Sequence, residues 1–313
     1  MMRTRSRSAF DPSPCGFGST NNLISTSFVS AATPVPMTLV YACIAPHGGE
    51  IIPKLASKSM LPKFEETRAA MRVLARRISE AQPQTIVIAS PHNLRLLSNI
   101  AVVVSENSSG TLKGSSNRSV VVRARCDVDF GKIVVKQSEK ARLPVVGANY
   151  GTAAGSSSDM QMDWATLVPL WFLLKDHRLK SRILIVAPSC EISLRTNFDF
   201  GRLLGRLMNG NRKKRFAFIA SADQAHAHSR SGPYGFSPAA SKYDAFVLNA
   251  IRDNSLKRVL RLRPRFIEEA KPDSPWQMVI LAGINEVIPM RSQLLSYQVP
   301  SYYGMVCAGF EPN

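Results

Sequence analysis

Apolar runs of five to seven residues recur along this chain and are separated by longer amphipathic or polar stretches. Leu39 to Ala45, Thr85 to Ala89, Ile183 to Ala187 and Phe216 to Ala220 are unbroken apolar runs, the pattern of strands covered on both faces. Phe64 to Glu80 reads instead as an amphipathic helix, with Phe64, Met71, Leu74 and Ile78 at helical spacing and charges between them. Ile100 to Val104 and Ser119 to Val128 read as further strands, the second in a hairpin, and Val145–Val146 as a brief one. Asn107 to Arg118 and Gly151 to Ser158 are rich in small polar residues and read as loops. Helices are expected over Phe130 to Ala141, Trp164 to Leu174 and Asn197 to Leu207, with Asp163 placed to cap the second. The C-terminal part reads as mostly helical through Tyr243 to Asp253, Leu256 to Leu260 and Met278 to Ile284.

Strand and helix alternating over about 200 residues predict an α/β fold: a single domain with a central, mostly parallel sheet flanked by helices. In such sheets ligands bind beyond the carboxyl ends of the strands. Residues 1–36 stand apart, rich in Ser, Thr, Pro, Asn and Arg with Asp11 the only acid. They read as a disordered extension or as a start assigned too early, since the strand pattern begins immediately after Met37. Residues 37–313 therefore carry the expected domain.

Composition narrows the class. The formal charge is +18, which favours acidic partners in general. The basic residues are nevertheless scattered, and no nucleic-acid-binding signature accompanies them, so no nucleic-acid partner is expected. The densest cluster, Arg212 to Arg215, sits between a helix and a strand and reads as a solvated turn. Five widely spaced cysteines without a Cys-x-x-Cys pair argue against a disulfide framework and against a thiolate zinc site, and point to a reducing, cytoplasmic setting. No stretch reaches the ~18 apolar residues of a membrane span.

The histidines carry the chemistry. Ala45-Pro46-His47-Gly48-Gly49 and Ser90-Pro91-His92-Asn93 each place a Pro-His turn directly after a buried strand. Asp223-Gln224-Ala225-His226-Ala227-His228 follows a third. Three strand ends delivering imidazoles to one edge of a parallel sheet suggest one site for a metal or for acid–base chemistry. Asp223 either caps a turn or orients an imidazole. His228 either shares the work or faces solvent, and His177, in a charged helix end, reads as surface.

These segments, with Gly232-Pro233-Tyr234-Gly235-Phe236 and Asp163-Trp164-Ala165-Thr166-Leu167-Val168-Pro169-Leu170, occur in the order found in the class III extradiol ring-cleavage dioxygenases. The chain resembles in particular the branch related to the catalytic subunit of protocatechuate 4,5-dioxygenase, over most of residues 38–313. Memo-type proteins share that fold. The resemblance implies one non-haem Fe(II) held by two histidines and a carboxylate, with an aromatic substrate and O2 as partners. Zn or Mn would accept the same donors. It casts His47 and His92 as ligands and His226 as the catalytic acid–base group, with Asp223 beside it. It places the third ligand near Glu268-Glu269-Ala270-Lys271-Pro272-Asp273-Ser274. Asp273, in the turn before the last apolar helix, is the choice, with Glu269 in reserve and Glu50 as a further carboxylate within reach. Trp164 stands where relatives often have histidine. Tyr234 and Phe236 are expected to line an aromatic pocket, and Tyr302-Tyr303-Gly304-Met305 to close it. Two functions remain open: an extradiol dioxygenase acting on a catechol or aminophenol, with a homo-oligomer as an open option, or a Memo-like metal-binding protein that does not cleave rings.

Overall fold

A computed structural model describes residues 38–114 and 118–313; the expectation for residues 1–36 lies outside them. In chain order the strands are β1 (Leu39–Ala45), β2 (Thr85–Ala89), β3 (Ile100–Val103), β4 (Asn107–Lys113), β5 (Ser119–Arg125), β6 (Val145–Ala148), β7 (Asp159–Gln161), β8 (Arg182–Ala187), β9 (Phe216–Ser221), β10 (Met290–Gln298) and β11 (Met305–Pro312). The helices are α1 (Glu65–Glu80), α2 (Val128–Lys140), α3 (Trp164–Trp171), α4 (Leu194–Gly210), α5 (Pro238–Arg252), α6 (Pro264–Ala270) and α7 (Pro275–Val287).

Eight strands form the main sheet in the order β10-β11-β1-β9-β2-β8-β3-β6. Its centre, β1-β9-β2-β8, is parallel; β11 on one side and the β3–β6 pair on the other run against it, and the edge strand β10, antiparallel to β11, runs with it. The sheet is therefore mixed, with a parallel middle. A smaller sheet, β5-β4-β7, packs separately.

The unbroken apolar runs have a direct cause, because both faces of the central strands are covered. In β1, Leu39, Ala42 and Ile44 enter the core shared with α2, α4, α5 and α7, while Tyr41, Cys43 and Ala45 enter the core shared with α1 and α3. In β2, Val87 and Ala89 face the first core and Ile86 and Ile88 the second. Such strands alternate in direction but not in polarity.

The ends of β1, β9 and β2 lie level and adjacent, with Ala45 opposite Ser221 and Ala89 opposite Ala220. The turns that carry His47, His92, and Asp223 with His226 thus emerge side by side. Asp163 caps α3, accepting from the Thr166 N–H, as its place in the sequence suggests.

Two readings need correction. Asn107 to Lys113 is strand β4, not loop: its Ser and Gly residues pair with β5 throughout, and Ser108 is buried with its hydroxyl donating to the Met160 carbonyl. The three C-terminal helical segments are present, but β10 and β11, which the pattern does not show, complete the sheet after α7. The Arg212–Arg215 cluster is not wholly solvated. Lys214 donates to both oxygens of buried Asp127 at 2.8 and 2.7 Å. No helix among the described residues is long and apolar enough to cross a membrane.

Candidate metal centre

His47 is buried, two residues beyond β1. Its Nδ1 lies 3.1 Å from the Ser221 hydroxyl, and that hydroxyl spends its single proton on the Ala165 carbonyl at 2.6 Å. Ser221 therefore accepts, and the His47 proton sits on Nδ1. This leaves the Nε2 lone pair facing Asp273 Oδ2 at 3.1 Å and Asp223 Oδ2 at 3.3 Å.

His226 is fixed in the same sense. Its ring Nδ1–H donates to the Lys271 carbonyl at 2.8 Å, and its backbone N–H to the Ala270 carbonyl at 3.1 Å. Lys271 takes a left-handed conformation, φ 57°, where α6 ends. The His226 Nε2 is left free, 4.0 Å from Asp273 Oδ2.

His92 places its Nε2 3.2 Å from the same oxygen. Asp163 braces this turn. One of its oxygens accepts from the Ser90 hydroxyl at 2.7 Å and the other from the Asn93 amide at 3.0 Å. The ring of His92 stacks on Trp164, centroids 4.2 Å apart and planes 24° from parallel.

Asp273 stands in the turn between α6 and α7. Its Oδ1 accepts from the Asp223 backbone N–H at 3.0 Å, which directs Oδ2 at the imidazoles. Ser274 beside it is buried and holds Tyr243 and Gln224 by its hydroxyl, so the turn is fixed from below.

Nitrogen lone pairs and carboxylate oxygens thus converge on one point. Acceptors packed together out of water require a cation between them. Without a metal, a proton fills that role. Burial opposes charge on His47, but the Asp223 and Asp273 carboxylates outweigh it and raise its pKa to about 9. Burial likewise opposes charge on Asp273, but the charge on His47 and hydrogen bonds from His47 and His92 hold it below the ordinary carboxylate range. Burial dominates at Asp223 and raises its pKa.

The distances also suit a metal. With bonds of about 2.1 Å, two donors on one ion stand roughly 3.0–3.4 Å apart for angles between square and tetrahedral. The His47, His92 and Asp273 atoms meet that spacing at 3.1 and 3.2 Å. These three form one group of mutually close donor atoms, and Asp223, His226 and Asp273 form a second.

The structure brings His47, His92, His226, Asp223 and Asp273 together. Asp223, read from the sequence as a cap or as the orienter of an imidazole, is bonded to the His47 segment. Its Oδ1 accepts from the His47 backbone N–H at 3.1 Å, because the chain leaving β9 turns the carboxylate towards β1, and the Lys271 carbonyl orients His226 instead. Glu269 lies outside the site, ion-paired to Arg265 on the surface of α6. Glu50 lines the cavity but is not among the grouped donors. His228 is turned away, held by Asp244 at 2.8 Å, and His177 is far along the chain from the cluster, partly exposed after α3.

The cavity above the cluster measures ≈ 290 Å³ and is lined in part by Tyr234, Tyr302 and Tyr303. Tyr303 stacks on His226 at 5.3 Å. Phe236 is exposed and pairs with His228 through the backbone rather than lining the cavity. Gly48 is required here, since a Cβ on it would stand 2.2 Å from the Tyr303 hydroxyl. Ser221 and the Lys271 carbonyl are the functional groups that no local motif announces.

Residues 41–308 match the family described as the catalytic LigB subunit of aromatic ring-opening dioxygenase. The chain belongs to that family. Family members generally bind a metal ion, and the His/Asp cluster is this chain's candidate site for it. The chain is 24% identical over 256 residues to Protein CA_C1420 of Clostridium acetobutylicum, an alignment covering 82% of this chain and 54% of that protein, so the chain spans about half the length of that relative. In fold it is similar to the uncharacterized protein JW3007 from Escherichia coli K12, with a TM-score of 0.53 and 15% identity, covering 86% of this chain and 99% of that one.

Proposed function

We propose that residues 37–313 form a non-haem Fe(II)-dependent extradiol dioxygenase that opens the ring of a catechol-type or aminophenol-type aromatic with O2. The observation that carries this reading is the single carboxylate oxygen of Asp273 lying 3.1 and 3.2 Å from the Nε2 atoms of His47 and His92. Two histidines and one carboxylate are the ligand set of non-haem iron oxygenases. Bound there, iron would supply the electron transfer between an aromatic ring and O2 that closed-shell side chains do not provide.

The chain's own groups then have distinct tasks. Ser221 keeps the His47 ring in the tautomer that presents Nε2. His226, with Nδ1–H committed to Lys271, presents Nε2 as a base for a substrate hydroxyl proton. Asp223, whose pKa burial raises, is a second proton carrier in the same cavity. Tyr303 stays a phenol because burial pushes its pKa well up, and its hydroxyl faces the cavity as a donor to a substrate oxygen. Tyr302 and Tyr234 wall the cavity over His226.

The test is anaerobic loading with Fe(II), mixing with a panel of catechols and aminophenols, and admission of O2. Stoichiometric O2 uptake with a yellow ring-opened product is expected. His226→Ala should keep the iron and lose about 10²–10⁴-fold in turnover. Stoichiometric iron binding with neither O2 uptake nor ring opening across the panel would instead favour the Memo-like metal-binding reading.

A further inference from the structure

A second cavity, ≈ 500 Å³, adjoins the one above the metal cluster. Both are walled by the stacked rings of His92 and Trp164. They approach each other on another side as well. Leu112 lines the second cavity, and its methyl carbon lies 3.5 Å from where a Cβ would stand on Gly49, which lines the first. The smaller chamber, ≈ 290 Å³, stands at the lower end of the range for ligand pockets, about 300–1,000 Å³, so a substituted ring held at the cluster gains room from the second.

The linings differ in chemistry. Around the second cavity stand Leu94, Leu112, Met160, Met162 and the exposed face of Trp164, with Asn93, Tyr150 and Gln161 as uncharged polar groups among them. Its acid, Asp163, already accepts four hydrogen bonds, from Ser90, Asn93 and Thr166, and offers little to a ligand. Among the described residues that line either cavity none is Lys or Arg, although the chain carries 40 of them. The ionisable groups facing the smaller chamber besides histidine and tyrosine are Glu50 and Asp223. A carboxylate on the ring substituent would find no lysine or arginine in either chamber, and leaving it unpaired is costly.

We propose that the two cavities form one two-chambered site whose substrate is a catechol bearing an uncharged, apolar ring substituent, with the diol in the smaller chamber and the substituent against Leu112, Met160, Met162 and Trp164 in the larger. The placement of the diol rests on the ring-cleavage reading above; the choice of substituent rests on the linings. Flexible Met160 and Met162 suit a substituent of variable shape. Leu112 belongs to β4, so the hairpin that read as loop supplies part of the selectivity.

The experiment is anaerobic calorimetric titration of the Fe(II)-loaded full chain with catechol, butylcatechol, phenylcatechol and protocatechuate, with O2 uptake recorded separately for each. Each buried methylene adds roughly threefold to fourfold in affinity. Butylcatechol and phenylcatechol should therefore bind at least about tenfold more tightly than catechol, and protocatechuate more weakly than catechol. Leu112→Trp, which fills the larger chamber, should bring the ratio of butylcatechol to catechol affinity towards one. Leu112→Lys, at the same half-exposed position, should move protocatechuate ahead of butylcatechol. The proposal is overturned if protocatechuate binds wild type as tightly as butylcatechol, if neither variant changes the ranking, or if no catechol binds. The ranking without ring opening would leave this inference standing and remove the ring-cleavage reading; ring opening with protocatechuate preferred would do the reverse.

Discussion

At the scale of single residues, the site depends on hydrogen bonds whose direction is forced. Ser221 has one proton and gives it to Ala165, so it accepts from His47 and keeps that ring's Nε2 lone pair open. Ser221→Ala removes the acceptor and lets the ring turn or change tautomer. It should weaken metal affinity about 10- to 100-fold, read by competition with a chelator, while the circular dichroism spectrum stays that of wild type. The sequence shows His47, His92 and His226 because each follows an apolar run; Asp273 comes into view only through the family resemblance, which points to the segment before the last apolar helix. It does not show their orienting partners, since Ser221 is 174 positions from His47 and the Lys271 carbonyl 45 from His226. Asp127 gives a residue-scale test away from the site. Burial opposes its charge, but hydrogen bonds from Lys214 and Thr85 outweigh that and lower its pKa. A depressed carboxylate stabilises the fold fully above its unfolded pKa, about 3.9, and loses that contribution as pH falls through the folded value. Denaturant titrations of Asp127→Asn should accordingly show a shallower loss of stability than wild type from about pH 5 downwards; parallel slopes would show that the ion pair adds nothing.

Between elements, local pattern and long-range pairing part company. β1, β2, β8 and β9 are legible because burial on both faces leaves unbroken apolar runs. β4 is not, because Asn107, Ser108, Ser109 and Gly110 favour turns locally and become strand only by pairing with β5 and β7. β10 is a half-exposed edge strand whose identity depends on pairing with β11. The tightest contact between helices is α4 against α7, where Gly283 meets the Phe198 carbonyl: a Cβ there would stand 2.2 Å from that oxygen. Since backbone cannot swing aside as a side chain does, Gly283→Ala should destabilise the protein by about 2 kcal/mol in urea unfolding. α7 also fixes the turn that holds Asp273, so the same variant should loosen metal binding, whereas an unchanged unfolding midpoint would mean that the two helices can separate at little cost.

Across the whole molecule, two cores clamp one sheet from opposite faces, and its level strand ends gather candidate donor groups from distant parts of the chain. His47, His92 and Asp273 lie on three separate turns, and only the folded sheet brings their donor atoms into one group. That a sheet with a parallel centre would gather these histidines at its carboxyl edge was readable from the alternation of elements. That the sheet is mixed followed from packing alone, and the α6–α7 turn as the place of the carboxylate came from the family resemblance and from no local pattern. Whether these three residues hold the metal of this member of the ring-opening dioxygenase family is decided by anaerobic Fe(II) titration of wild type and Asp273→Ala, each shown to be folded by circular dichroism. The account predicts about one tightly bound iron per chain in wild type and an affinity at least 100-fold weaker in the variant; equal affinity in the two proteins would contradict it.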